Sequence, residues 1–133
     1  MYCVFDRDEH AHYREAVARA AALDGKKRFV AIPSVPCFEL WFLLHYEAVT
    51  RELERDEARR RLKEYIPDYD KNLTNMFIRT SEQLETAYRN AARERALKAE
   101  TGKDNPSTDM DILVKRLFEI ASMRDAGNRK EPI

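Results

Sequence analysis

Two aspartates one residue apart, Asp6 and Asp8, follow a short apolar run in Val4-Phe5-Asp6-Arg7-Asp8-Glu9-His10. One account is an Asx turn leading into a helix cap, with Glu9 favouring the first-turn dipole. The other is a divalent cation. Mg²⁺ takes hard oxygen ligands, commonly one or two carboxylates together with waters and substrate phosphate. Two carboxylates this close repel one another, and a cation relieves that. In an open α/β sheet, ligands bind beyond the carboxyl ends of the strands, and Asp6 leaves its strand at that edge. On the dipeptide alone the turn is the simpler reading.

Glu39 is a lone acid inside Pro36-Cys-Phe-Glu-Leu-Trp-Phe-Leu-Leu-His-Tyr46. An unpaired carboxylate buried in such a stretch is costly, so it must reach a partner or a polar cleft. Lying a few residues after a strand, it shares the sheet edge with Asp6 and Asp8, where it is a candidate third metal ligand or general base. Satisfaction by backbone amides near a helix start explains it equally well. His45, six residues on, falls on the opposed helix face and reads first as a hydrogen-bonded core histidine. His10 and His12 flank the aspartates as phosphate contacts. Lys71, in the loop Tyr69-Asp70-Lys71-Asn72, suits a phosphate as a point charge. Asn105-Pro106-Ser107-Thr108 reads as a turn and helix cap. Arg59, Arg60, Arg61 and Lys63 interleave with Glu54, Asp56, Glu57 and Glu64, which describes a solvated helix face with intrahelical ion pairs.

These residues need a scaffold. Tyr2–Phe5 reads as a short buried strand, 11–24 as an Ala-rich helix closed by Gly25, and Phe29–Ile32 as a buried strand ended by Pro33. Together they form a βαβ unit with parallel strands. Pro36 is expected in the first turn of a buried helix running to Tyr46. Helices follow over 50–65, 80–101 and 108–123, the second with Thr80 and Gln83 at capping-box spacing and Gly102 as terminator. From Arg124 the tail is expected to fray. The expected organisation is one domain, 1–133, with an α/β part to residue 48 and a helical part over 49–123.

The chain has 133 residues with 24 basic and 24 acidic side chains, which argues against coating nucleic acid by bulk charge and leaves a local basic face open. No apolar run approaches the ~20 residues of a membrane span, and no signal peptide is visible, so a cytoplasmic address is expected. Cys3 and Cys37 read as reduced thiols. With three glycines there is no Gly-rich phosphate fingerprint.

Taken together, the stretch 4–10, the Ala-rich helix, 36–46, Tyr69-x-Lys71 and Asn105-Pro-Ser-Thr108 before a final helix resemble the RloB-like family. That family is associated with bacterial restriction-modification and phage-defence loci, beside an AAA-type ATPase, and its fold is similar to the metal-binding Toprim domain. The resemblance implies a Toprim-like α/β front half with a short parallel sheet and a mostly helical back half. It also implies Asp6 and Asp8 as ligands of Mg²⁺ or Mn²⁺, and Glu39, His45 and Lys71 match signature positions. Their roles rest on chemistry alone, Glu39 as third metal ligand or base, Lys71 on a phosphate and His45 as a further catalytic candidate. The Toprim pattern further includes a glutamate on an earlier strand. No such segment precedes Tyr2, so the resemblance leaves half a Toprim site here, and a sheet edge that a second copy would cover.

Two functions follow as expectations. One is a metal-dependent phosphodiester hydrolase acting on DNA or RNA. The other is an interaction or sensor module for the ATPase, in which the acids are structural.

Overall fold

Tyr2–Asp6 (β1) and Val30–Val35 (β2) pair in parallel, with Tyr2 opposite Val30 and Asp6 opposite Ser34, and the ladder continues as Arg7 N–H donates to the Ser34 carbonyl at 3.0 Å. The computed structural model describes residues 2–7, 15, 18, 19, 22 and 30–129, with side chains to residue 124. Asp8, Glu9, His10 and His12 fall outside the described residues, as does most of the expected helix over 11–24, of which Glu15, Ala18, Arg19 and Ala22 are helical.

β1 is less buried than expected, since Tyr2 and Val4 are exposed on it. β2 does not stop at Pro33. A residue's N–H and C=O lie on the same edge of a strand, and the Pro33 carbonyl accepts from Asp109 N–H. The missing proline N–H therefore falls on that edge, just past the two-residue ladder that Ser107–Thr108 (β3) forms with Ser34 and Val35. β3 is antiparallel and makes the order β1-β2-β3. The back half of the chain thus completes the sheet.

After β2 the chain turns through a cis Val35–Pro36 peptide into Glu39–Leu43 (α1), so Pro36 does not occupy a first helical turn. Bonds from Leu40 to Cys37, Trp41 to Phe38, His45 to Phe42 and Tyr46 to Leu43 span three residues, so both ends of this segment are tightened turns and only five residues are α-helical. All five are buried, Trp41 completely, and they pack in one core with Ala58 and Leu62 of Arg55–Tyr65 (α2) and with Ala87 and Ala91 of Leu84–Thr101 (α4). The small alanines of α4 leave room for the bulk of α1.

α2 begins five residues later than the helix expected from Thr50, because Leu53 is held instead by Asn105. The Asn105 side chain accepts from Leu53 N–H at 3.1 Å and donates to Leu53 C=O at 2.9 Å, standing in for a strand neighbour. The helix expected over 80–101 is α4, which starts at Leu84 after a 3₁₀ turn at Ser81–Gln83 that joins it to a short preceding helix, Met76–Thr80 (α3). No capping box forms: the Thr80 hydroxyl donates backward to Met76 C=O at 2.7 Å, and Ser81 likewise to Ile78. Gly102 ends α4 as expected, at φ +76°, with its N–H on Lys98 C=O. The last helix, Met110–Arg129 (α5), runs on past Arg124 where fraying was expected, and Thr108 caps it by accepting from Met110 N–H. Among the described residues no helix is long and apolar enough to cross a membrane.

Candidate functional site

The carboxyl ends of the two parallel strands open on a cavity of about 390 Å³. β1 delivers Asp6 to it, the turn after β2 delivers Phe38 and Glu39, and the loop between α2 and α3 delivers Tyr69, Asp70 and Lys71. Phe42, Met76 and Phe77 form much of the remaining wall. Three of the residues singled out in the sequence, Asp6, Glu39 and Lys71, thus reach one cavity from three elements.

Glu39 is 2% exposed and does not stand alone. Arg59 of α2 donates Nε–H to its Oε1 at 2.8 Å, and the Tyr69 hydroxyl is hydrogen-bonded to the same carboxylate. Burial raises the Tyr69 phenol well above its ordinary range, and the negative charge of Glu39 adds to that. Cys37, beside the acids and fully buried, is pushed up to about 12, first by burial and then by the charges of Glu39 and Asp6. A thiol so disposed is inert at neutral pH and is no nucleophile here.

The arginine cluster of α2 behaves differently from the solvated face expected of it. Arg60 pairs within the helix to Glu57 at 3.8 Å, but Arg59 reaches Glu39 and Arg61 reaches Glu47, tying α2 to the segment around α1. Sequence reasoning therefore missed Arg59 as the counter-ion of Glu39. A buried acid announces that it needs a cation, yet nothing local identifies one 20 residues away.

His45 does not line the cavity. It is 2% exposed, its ring meets Trp41 edge-on at 4.8 Å, and its Nδ1 lies 2.8 Å from the Trp41 carbonyl. A carbonyl only accepts, so Nδ1 carries the proton. Burial lowers the His45 pKa from its ordinary value, against the raising effect of its backbone contacts. Asn105, Ser107 and Thr108 are spent on structure as expected: Ser107 donates to Asp104 C=O and Thr108 shares a 2.8 Å bond with Ser34.

Among the described residues no three His, Cys, Asp or Glu side chains are grouped to hold a metal ion. The acids reaching the cavity are Asp6, Glu39 and Asp70. This small set of hard oxygen donors suits Mg²⁺ or Mn²⁺, which keep several waters and need only one or two carboxylates beside a substrate phosphate. Ligating carboxylates are commonly hydrogen-bonded from behind, the relation Arg59 and Tyr69 bear to Glu39.

Comparison with curated proteins and with solved structures gives no match. The model of the RloB-like proteins matches residues 1–117. That match takes in all three strands and the loop bearing Lys71, and the chain belongs to the RloB-like family.

Proposed function

We propose that this RloB-like chain is a metal-dependent phosphodiester hydrolase acting on nucleic acid in the cytoplasm, within a restriction or phage-defence system that includes an AAA-type ATPase. The observation that carries the reading is the convergence of Asp6, Glu39 and Lys71 on one cavity at the carboxyl edge of the parallel pair. Asp6 and Asp8 would hold Mg²⁺ or Mn²⁺, with Glu39 as the third donor. Bound there, the cation supplies charge stabilisation at the phosphate undergoing attack.

The chain's own residues do the rest. Lys71 meets a phosphate oxygen and neutralises part of its charge. Arg59 and Tyr69 fix the Glu39 carboxylate in one orientation, and Arg59 offsets its burial. Arg7, directly after Asp6, pairs with Asp104 at 3.4 Å and lines a separate cavity of about 930 Å³ of mixed charge, with Arg51, Lys98 and Lys103 alongside Glu52, Glu94 and Asp104. On the outside, α5 exposes Leu117, Phe118 and Met123, and β1 exposes Val4, apolar surface that a second copy of the chain would cover.

Calorimetric titration with Mg²⁺ and Mn²⁺ tests the reading. Saturable binding by wild type, lost or strongly weakened in Asp6→Ala, is expected. Equal binding by wild type and Asp6→Ala would remove Asp6 from the site.

One observation favours the interaction module instead: Glu39 already has a complete counter-ion in Arg59. On that reading neither cation binds, and the chain co-purifies with the ATPase.

A further inference from the structure

The cavity at Asp6 has two unlike walls. Asp6, Glu39, Asp70 and Lys71 make the polar one, where the proposed cation and a phosphate would sit. The other wall is aromatic. Phe42 sits at its centre, edge-on to Phe38 at 5.1 Å and to Phe77 at 6.2 Å, with Tyr69 tilted against it at 6.3 Å. These mutual contacts hold the rings as one unit. Phe42 is buried, but Phe77 is 53% exposed on a five-residue helix, so the cluster reaches water where it borders the acids.

A phosphate has no use for such a wall. A nucleobase has, because every base carries a π-face that stacks on aromatic side chains. In a duplex those faces are covered by neighbouring base pairs, whereas single strands and extruded bases offer them. The volume, about 390 Å³, lies near the low end of the range for small-ligand sites and suits one nucleotide.

We infer that the cavity takes a nucleotide of single-stranded nucleic acid, its unpaired base against Phe77 and Phe38 and its phosphate toward Lys71 and the carboxylates. The inference rests on the reading of this cavity as a phosphodiester site and adds the class of strand it admits. A base packed on Phe77 brings the adjoining phosphate to the polar wall.

The test is fluorescence anisotropy with labelled 12-mers of dT and of rU and a DNA duplex of equal length. Ca²⁺ replaces Mg²⁺ so that strands are bound rather than cut. Wild type is compared with Phe77→Ala, Phe77→Leu and Phe77→Trp, each first shown by its thermal midpoint to be folded. Expected are tighter binding of single strands than of duplex, a loss of about tenfold in Phe77→Ala, a loss in Phe77→Leu, and retention in Phe77→Trp. Preference for dT or for rU tells which of the two strands binds better, and either supports the inference. Single-strand affinity unchanged in Phe77→Ala, or duplex bound as tightly as single strands, would overturn it. The two readings fail separately. If Asp6→Ala abolishes cleavage while Phe77→Ala binds normally, the hydrolase stands and the strand preference falls. If single strands bind through Phe77 but are not cut with Mg²⁺ or Mn²⁺, the hydrolase falls and the strand preference stands.

Discussion

Arg59 and Glu39, 20 residues apart in sequence, meet at 2.8 Å with the Glu39 side chain 3% exposed and the Arg59 side chain 27% exposed. The bond joins α2 to the first residue of α1 and fixes one of the three groups that converge on the cavity. Removing one partner of a buried pair strands the other charge. Arg59→Ala is therefore expected to cost about 3 kcal/mol in urea unfolding, near the low end for buried pairs because Arg59 keeps some water. Arg59→Met combined with Glu39→Leu should recover most of that loss. A double variant as unstable as Arg59→Ala would mean that the charge is not what destabilises the single one.

Glu94 is the buried acid without such a partner. It is 3% exposed, neither oxygen has a hydrogen bond among the described residues, and its pKa is raised to about 8, first by burial and then by the nearby charge of Asp111. Arg95, its neighbour, is committed to Asp111. In the unfolded chain the carboxyl ionises near its ordinary 4.5. Between these values the folded state holds a proton that the unfolded state has lost, so stability falls as pH rises and levels off above about 8. The loss is on the order of a few kcal/mol. Chemical unfolding across this range should show that slope in wild type and a flatter one in Glu94→Gln.

His45 works in the opposite direction. Its folded pKa lies below the ordinary 6.5, mainly through burial, so as pH falls below 6.5 the unfolded state takes up a proton first and stability declines. Substitution by Phe should flatten this acid-side decline and leave Mg²⁺ binding unchanged, because His45 lies outside the cavity lining. A loss of cation affinity in a folded His45→Phe protein would place the imidazole in the site.

Asn105 closes the loop before β3 by bonding both backbone groups of Leu53, itself 1% exposed. Asn105→Ala leaves a backbone donor and acceptor unpaired, at a cost of about 1–3 kcal/mol. Asn105→Asp keeps only the acceptor, and its thermal midpoint should fall between those of wild type and Asn105→Ala.

Much of the site could be read before the fold was seen. An acid ending a strand, a second acid in the apolar run after the next strand and a lysine in a later loop were legible because each breaks a local pattern. The parallel pair was legible too, from two short apolar runs with helical sequence between them. Most of the missed features depend on distant partners. β3 has two residues and shows no alternation. Pro33 looked like a strand end, since its tolerated edge depends on where β3 stops. The break at 81–83 is local: the Thr80 and Ser81 hydroxyls bond backward to Met76 and Ile78 there, where the Thr80–Gln83 spacing suggested a cap. Arg59 looked like one of several surface arginines because its acid lies on another element. Phe38 and Phe42 read as part of a buried helix and Phe77 carried no local signal, and their shared border with Asp6 and Lys71 gives them another use.

The most direct measurement is cleavage of a labelled single strand in Mg²⁺ or Mn²⁺ by wild type and by the double variant Asp6→Ala, Asp8→Ala. The account predicts cation-dependent cleavage by wild type and its loss in the folded double variant. Cleavage undiminished in that variant would contradict the assignment of the site.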